Sequence, residues 1–474
     1  MVFDALHRLS FVQGVALHGT RAAQKQVAQR FSRQRKPTRG EPDADGKAEA
    51  KRLTSGIKKA YSAEKLIEVL DGAVDGPIFN FFHASAAYTQ LERLKRKRDL
   101  KQRHWDSPVL RRLHAQVEDM ILKHQLNAQA SANVLWSIAR LANQLSIPTQ
   151  LLAALVKSVP TKVRGMKPQE LSNCMWASAR LKDVAPVVLE IVPALVAQIP
   201  KRAKDMGAQE LSNCLWASAH LKDVAPHALE AVPAIVTQIP CKAQGMIPQH
   251  LSNCLWASGQ LKDLAPDVLE AVPAIVAQIP DKAPDMIPQH LSNCLFAAAQ
   301  LKGETPKVLE IVPAMVGKIP LKLQNMTPQE MSNSLEALVL LQDSVPEVKG
   351  FLAAGGRVDD ILRSAAKRLN ILLPQLKGKD FSFTVPVVIW ACAKGGVYDG
   401  ELLGSVARRL SSRTKLSALP DFGVCALSWS YQVLDTDDDF EDFKRLLRSE
   451  TEKRGFSEAV VQSCQFVRSE WNYR

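Results

Sequence analysis

The sequence lacks the short motifs that many enzymes use to bind phosphate, activate a serine or hold zinc. It contains no HExxH, no GxxxxGK[ST] and no GxSxG segment, so it does not read as a zinc peptidase, a P-loop nucleotidase or a serine hydrolase. It also has no stretch approaching 18 uninterrupted apolar residues, which predicts no membrane insertion. We therefore predict no enzymatic activity, no cofactor, no metal site and no small-molecule substrate.

Cysteine is scarce, and its spacing argues against disulfides and zinc. Four of the eight cysteines recur every forty residues, at Cys174, Cys214, Cys254 and Cys294. Stacked helices lie about 8–10 Å apart, beyond the roughly 7 Å that a disulfide can bridge. No CxxC pair is present for a zinc site. We interpret the four residues as small buried packing groups in a reducing compartment.

What the sequence has instead is a forty-residue repeat. The phrase LSNCMWASARLKD begins at Leu171 and returns, slightly changed, at Leu211, Leu251 and Leu291, with a weaker copy at Met331. A unit this short cannot bury its own apolar face, so neighbouring units must stack to form one core. The predicted fold is all-α, a right-handed α-solenoid of about nine helix-turn-helix repeats.

Diverged copies extend the repeat in both directions. Upstream, Asn133 keeps the asparagine place, and we also place Asn80 there, with His83 in the tryptophan place; downstream, Trp390 and Trp429 match the tryptophan. The expected divisions are a presequence-like start with a disordered linker (1–55), a basic helical region with a diverged repeat (56–119), the regular array (120–342), an insertion (343–380), and diverged repeats with a C-terminal cap (381–474).

Proline marks the helices within one unit. Pro168 is expected in the first turn of a helix that runs to Leu181, because that position needs no backbone N–H. Pro186 is expected to begin the second helix. Pro193 and Pro200 would then lie inside it, where proline removes a hydrogen bond and clashes with the preceding turn. The second helix is therefore predicted to be bent or broken at each proline.

Positive charge lies mostly outside the regular repeats. The chain carries a net charge of +13, yet residues 161–320 contain 15 basic and 14 acidic residues. Residues 91–112 hold nine basic and three acidic residues, which favours a phosphate-contacting segment; a solvated basic helix or linker is the alternative. The phosphate-contact candidates are Lys95, Arg96, Lys97, Arg98, Lys101 and Arg103.

The first forty residues contain eight basic residues and one acid. Acid-poor, arginine-rich starts are typical of organellar presequences, so we expect an organelle, the mitochondrion rather than the chloroplast. A basic disordered tail on a cytoplasmic protein is the alternative. Residues 34–55 are polar, with proline and glycine, and are predicted to be a disordered linker.

One face of the first helix is the candidate recognition surface. Gln169, Asn173, Trp176 and Arg180 are spaced four, three and four residues apart and share that face. Helical-repeat RNA readers contact about one base per unit through such positions. Two places recur on this face, which we call the asparagine column (the place of Asn173) and the variable column (the place of Arg180). The RNA-binding candidates are Gln169, the asparagine column members Asn173, Asn213, Asn253 and Asn293, and the variable column members Arg140, Arg180, His220, Gln260 and Gln300.

Each column also has a structural interpretation. The asparagine amides could tie neighbouring units together, the tryptophans could be inter-repeat packing groups rather than base-stacking platforms, and the variable column could be an exposed position free to drift. A second variable place, immediately before the LSNC phrase, is occupied by Glu170, Glu210, His250, His290 and Glu330.

The LSNCLWAS phrase at 211–218, with PQE or PQH before most copies, resembles octotricopeptide-type, FAST-kinase-like and heptatricopeptide repeat proteins of algal, dinoflagellate and apicomplexan organelles. The resemblance covers residues 120–342 and, loosely, 76–90 and 381–440. It implies an α-solenoid that binds single-stranded organellar RNA and acts in RNA stability, processing or translation, with the first helix of each unit facing the RNA. Many such proteins end in a nuclease-like RAP domain; the tail from Asp421 is too short for one, so no RNA cleavage is implied.

A second function remains open. The near-neutral charge of residues 161–320 also suits a protein-binding scaffold of HEAT or armadillo type, because phosphate binding needs clustered lysine and arginine. A protein partner is therefore the alternative to RNA.

Overall fold

The computed structural model describes residues 44–142, 145–342, 344–345 and 358–462. These residues form helices and connecting turns with no strand, which confirms the predicted all-α class. The expected presequence and the first part of the expected linker lie outside the described residues. No helix in the described ranges combines the length and apolar character that crossing a membrane requires.

The longer helices form a first row in which each helix packs against the one before and the one after it. This is the arrangement expected of stacked repeats. The helices of the first row are Ala44–Lys59, Phe81–Arg96, Ala128–Leu141, Pro168–Leu181, Ala208–Leu221, Pro248–Leu261, Pro288–Leu301, Pro328–Leu341, Gly378–Lys394 and Asp421–Leu434.

A second row packs along one side of the first. Its longer helices are Ala63–Asp71, Pro108–Leu122, Thr149–Lys162, Val358–Leu372, Gly400–Leu410 and Glu441–Lys453. In the regular units it consists of the short α-helices Val192–Val196, Ile199–Arg202, Val232–Val236, Ile239–Lys242, Val272–Val276, Ile279–Lys282, Val312–Val316 and Ile319–Lys322. Three further short helices are Gln102–Trp105, Arg413–Ser417 and Glu458–Gln462. The 3₁₀ helices are Val163–Gly165, Pro186–Ile191, Ala203–Asp205, Pro226–Ala231, Ala243–Gly245, Pro266–Ala271, Ala283–Asp285, Pro306–Ile311, Leu323–Asn325 and Leu373–Gln375.

The prolines divide the second row as predicted. Pro168 begins the first-row helix that ends at Leu181, and Pro186 begins a 3₁₀ helix rather than an α-helix. Pro193 and Pro200 each occupy the first turn of a new short α-helix, where the missing N–H leaves no hydrogen bond unmade. The predicted break of the second helix is therefore confirmed, and it recurs in each regular unit.

The core lies between the two rows. Leu171, Met175 and Leu181 from the first row and Val188 and Leu195 from the second are fully buried. The four repeated cysteines are free and fully buried as well. Burial raises the pKa of Cys174, Cys254 and Cys294 to about 12, so these thiols stay protonated and behave as packing groups. No group of side chains suited to a metal ion occurs among the described residues.

The predicted disordered linker is wrong for residues 44–55. They belong to the helix Ala44–Lys59, which packs against Phe81–Arg96. Ile57 is fully buried, Leu53 packs on the core, and the His83 ring nitrogen Nε2 lies 2.9 Å from the Ala50 carbonyl oxygen. The polar composition hid this helix because only one narrow stripe of it is apolar.

The predicted place of Asn80 in the asparagine column is also wrong. Asn80 caps the N-terminus of Phe81–Arg96, and the buried His83 accepts a hydrogen bond from its backbone N–H. Asn133 Nδ2 instead donates to Ser85 Oγ at 2.9 Å, a partner 48 residues earlier. The spacing between column positions is thus 48 residues in the first unit, shorter than the 53 residues that separate Asn80 from Asn133, and Ser85 takes the column position.

The expected insertion at 343–380 is partly a structural element of the array. Its residues 346–357 lie outside the described residues. The helix Val358–Leu372 packs against Gly378–Lys394 as a second-row helix, and Ile361, Ala365 and Leu369 on one side of it are buried. An amphipathic helix thus supplies the second row here without the prolines of the regular units.

Candidate nucleic-acid interface

The predicted recognition residues lie on the solvent-facing side of the first row. Along Pro168–Leu181, Gln169 is exposed, Asn173, Trp176 and Arg180 are half-buried, and the remaining side chains after Glu170 are buried. The same pattern recurs in Ala208–Leu221, Pro248–Leu261 and Pro288–Leu301. The spacing therefore predicted a real shared surface, which we call the first-row face.

The tryptophans of the first-row face form a ladder between units. The Trp176 ring centroid lies 6.2 Å from that of Trp136 and 6.2 Å from that of Trp216. The Arg140 guanidinium lies 5.6 Å from the Trp136 centroid and 5.9 Å from the Trp176 centroid. A base inserted between two rings would need two stacking intervals of about 3.4 Å each, and Arg140 already fills this gap. The ladder therefore stabilises contacts between units.

His220 takes the place of arginine in the gap between Trp216 and Trp256. Its ring centroid lies 4.0 Å from Trp216 and 4.7 Å from Trp256, nearly parallel to the latter. Burial, together with the nearby positive charges of Lys182 and Arg180, lowers the pKa of His220 to about 4. The imidazole is therefore neutral at pH 7 and acts as an aromatic member of the ladder.

We expect this histidine to make folding sensitive to acid. Because its folded pKa lies below the ordinary value near 6.5, the unfolded chain binds the proton more readily; the stabilisation is complete above pH 6.5 and is lost as pH falls towards 4. The loss should be roughly 2 kcal/mol at pH 4.5. The variant His220→Gln should lose less thermal stability than the wild type between pH 7 and 4.5. The variant His227→Gln, at an exposed position, should not differ from the wild type in this respect.

The variable column continues with a pair of glutamines. Gln260 Nε2 donates to Gln300 Oε1 at 2.9 Å. A Cβ added at Gly259 would lie 2.7 Å from Gln300 Oε1, whereas the same place holds Ala179, Ala219 and Ala299 in the other units with the LSNC phrase. Gly259 thus makes room for the amide pair. The variable column is therefore not merely exposed and free to drift, because Arg140, His220 and Gln260 contact the next unit.

The asparagine column differs in that most of its amides have no protein partner. The Asn133 amide donates a hydrogen bond to Ser85 of the preceding unit. The next four side-chain amides are half-exposed, and in the part of the chain that the structure describes they have no hydrogen-bond partner: Asn173, Asn213, Asn253 and Asn293. The structural ladder of asparagines is therefore not formed at these four positions. Each amide offers a donor and an acceptor to a ligand.

No protein-family model matches the chain, and no curated protein is significantly similar to it.

The second variable place has a structural role in three units. Glu170 Oε2 accepts a hydrogen bond from the Lys167 backbone N–H at 2.9 Å, Glu210 Oε2 from Gly207 at 3.1 Å, and Glu330 from Thr327 at 2.7 Å. These carboxylates cap the starts of their helices. These three glutamates are therefore engaged by the fold and are poor candidates for recognition.

The predicted basic segment lies at the C-terminal end of the first-row helix Phe81–Arg96. Five of the six phosphate-contact candidates are exposed, namely Arg96, Lys97, Arg98, Lys101 and Arg103. Lys95 is half-buried and donates to the Leu100 carbonyl oxygen at 3.2 Å. Five cations thus remain accessible to phosphate, and Lys95 is held by the loop that follows its helix.

A repeated lysine that sequence reasoning missed links the units. Lys222 Nζ donates to the Gln260 carbonyl oxygen at 2.9 Å, and Lys262 pairs with Glu304 Oε1 at 2.6 Å. Each lysine follows its own first-row helix and reaches the C-terminal end of the next one, where the helix dipole favours a cation. The signal in the sequence was the constant LK pair at 181–182, 221–222, 261–262 and 301–302.

We expect the variant Lys222→Met to destabilise the array. It keeps the apolar stem but removes a charge-assisted hydrogen bond, which should lower the free energy of unfolding by about 1–2 kcal/mol. Thermal unfolding compared with Lys201→Met, an exposed second-row position, measures this. Equal midpoints for the two variants would contradict the linking role.

Proposed function

We propose that the protein is an organellar, single-stranded RNA-binding helical-repeat protein that acts in RNA stability, processing or translation and carries no catalytic activity. The array would be a right-handed α-solenoid of about nine units, one for each first-row helix from Phe81–Arg96 to Asp421–Leu434. The observation that carries the proposal is the column of unpartnered asparagine amides on the first-row face.

The amides suit the edges of unpaired bases. A single strand exposes the hydrogen-bonding edges that a duplex hides, and an asparagine amide can give and accept a bond at such an edge. Successive amides belong to successive units, so each unit would contact about one nucleotide. Gln169, exposed one turn before Asn173, would extend this contact.

Phosphate binding would be concentrated at the N-terminal end of the array. The exposed cations from Arg96 to Arg103 lie there, whereas residues 161–320 are nearly neutral. Binding should therefore weaken with salt as expected for a few phosphate contacts. The slope of the logarithm of the binding constant against the logarithm of salt concentration should be about −0.7 per contact.

The test is fluorescence anisotropy of the full chain with single-stranded RNA, single-stranded DNA and duplex DNA at several salt concentrations. We expect RNA to bind with a dissociation constant of about 1 μM or below and more tightly than either DNA. Equal binding of all three nucleic acids, or binding no tighter than that of a peptide comprising residues 1–43, would overturn the proposal.

One observation favours a protein partner instead. The turns between the two rows carry exposed apolar side chains at one repeated place, with Val184 58%, Val224 47% and Leu264 54% exposed. Such a stripe is typical of protein-binding surfaces. If salt-insensitive binding of a protein partner is found and is lost when these three residues are changed to aspartate, the scaffold function is favoured.

A further inference from the structure

A cleft opens at the N-terminal end of the first-row face. It lies among Ala44–Lys59, Phe81–Arg96 and Ala128–Leu141 and has a volume of about 400 Å³. Small-molecule sites usually measure about 300–1,000 Å³, so one nucleotide fits it. The side chains that matter for the argument are Lys58, Phe82, Ser85, Gln129 and Asn133.

The cleft has an aromatic wall. Phe82 is 59% exposed, and its ring centroid lies 4.1 Å from that of Phe81. Unlike the tryptophans further along the face, Phe82 has no cation or ring from a neighbouring unit stacked on it among the described residues. An exposed ring of this kind can stack on any base, since each base has a π face.

Polar groups also line the cleft. Gln129 is exposed and its amide has no hydrogen-bond partner within the described ranges. Asn133 uses its Nδ2 on Ser85, which leaves its carbonyl oxygen able to accept another bond. A base edge that carries donors and acceptors would be bound here, whereas a purely apolar ligand would leave these groups unpaired.

The charge of the cleft is positive. Lys58 lines it, and Lys51 stands two helical turns earlier on the same face of Ala44–Lys59, exposed as well. None of the lining residues is acidic. An ammonium group, an aromatic wall and free amides in one cleft match the three parts of a nucleotide, namely phosphate, base face and base edge.

We propose that this cleft binds one nucleotide of the RNA strand, with its base on Phe82 and its phosphate at Lys58, and that it fixes where the strand begins on the first-row face. This inference rests on the proposed RNA-binding function. It explains why the helix Ala44–Lys59 is basic and why the first unit departs from the regular spacing, since that departure places the smaller Ser85 at the cleft, in the position that asparagine takes in later units.

The first test uses the full chain and a mixed-sequence 20-nucleotide single-stranded RNA containing 5-iodouridine. Photocrosslinks, mapped by mass spectrometry, should fall on the peptide that contains Phe82. The variant Phe82→Ala should raise the dissociation constant about tenfold, and Lys58→Glu should reduce the dependence of binding on salt by about one phosphate contact. Phe82 is exposed, so its truncation should leave thermal stability unchanged.

The matched control is Leu122→Ala, which shortens another exposed apolar side chain, 64% exposed, in the second row. It should bind RNA like the wild type. RNA binding that is retained equally by Phe82→Ala and Leu122→Ala, without crosslinks at Phe82, overturns the cleft while leaving RNA binding by the first-row face standing.

The second test needs no strand. The four nucleoside 5′-monophosphates are titrated into the wild type and Phe82→Ala by calorimetry, with an expected dissociation constant of about 1 mM for the preferred one. Mononucleotide binding that disappears in Phe82→Ala supports the cleft. If the RNA oligonucleotide fails to bind in the same experiments, only the proposed function is overturned. If neither variant binds a mononucleotide and no crosslink reaches Phe82, the inference is wrong.

Discussion

RNA binding should weaken about 100-fold when Asn173, Asn213 and Asn253 are changed together to alanine. Each amide lies half-exposed on the first-row face without a protein partner among the described residues, so each can give about 1 kcal/mol or more in hydrogen bonds to a base edge. Three such contacts amount to about 3 kcal/mol, or about two orders of magnitude in affinity. Because no bond within the protein is broken, the midpoint of thermal unfolding should stay unchanged.

The measurement is anisotropy at one fixed salt concentration, so that phosphate contacts remain constant between variants. The chain offers a matched control in Gln198, Gln238 and Gln278, which are amides at one repeated place in the second row. Changing these three to alanine removes the same kind of group from the other side of the array and should leave affinity unchanged. An asparagine variant that binds as tightly as the wild type would show that the asparagine column does not read bases.

A third outcome would separate the two interpretations of the column. If the asparagine variant lost thermal stability in parallel with affinity, the amides would serve the fold through contacts made in solution. The glutamine variant shows how much stability the loss of three half-buried amides costs in general.

The repeat made the fold predictable, because four near-identical units constrain one another. Once the helix Pro168–Leu181 was read from its proline and its apolar spacing, the same bounds applied to Ala208–Leu221, Pro248–Leu261 and Pro288–Leu301. The breaks at Pro193 and Pro200 followed from the geometry of proline alone. Local chemistry was sufficient here since every unit meets the same neighbours.

The sequence is a poorer guide where a unit has no identical neighbour. The helix Ala44–Lys59 buries only a narrow stripe, so its composition resembled that of a linker. Asn80 shares only its residue type with the asparagine column, and asparagine is also a favoured residue at a helix N-cap. A one-residue match cannot decide between these roles, whereas the contact between Asn133 and Ser85 does.

The candidate site was predictable as a surface and less so as chemistry. Spacing alone identified the shared face of Gln169, Asn173, Trp176 and Arg180. It could not show that Arg140 and His220 fill the gaps between tryptophans, because that depends on the distance between units. It also could not separate the unpartnered asparagines from the capping glutamates, which look equally polar in sequence.

The variant Trp216→Ala should lower the free energy of unfolding by about 3 kcal/mol, near the lower end of the range for removing a buried large aromatic group, because this ring is only half-buried. Its ring contacts Trp176 in the preceding unit and His220 at the gap before Trp256. One truncation therefore removes the aromatic contact of Ala208–Leu221 with the preceding unit, and it takes away the ring that holds His220 against Trp256 of the next unit.

In a linear array, the loss of stability caused by Trp216→Ala should first open the units around the substitution and only later the whole array. Stability in stacked repeats is approximately a sum of unit and interface contributions, so weakening two adjacent interfaces should let the array open there first. Hydrogen exchange should accelerate in Ala208–Leu221 and Pro248–Leu261 while the helices around Trp390 keep their protection. Thermal unfolding should broaden or divide into two transitions, as expected when cooperativity between the two parts is lost.

Trp216→Phe is the control that separates stacking from mere bulk. Phenylalanine occupies the same place at Phe296, so the ladder tolerates a smaller ring, and this variant should cost only about 1 kcal/mol. If Trp216→Ala and Trp216→Phe were equally stable, the ring would contribute little to the interface and would instead be exposed for a ligand. That result would turn the tryptophan ladder from a structural device into a stacking platform for bases, and would move the proposed reading surface from the asparagines to the rings.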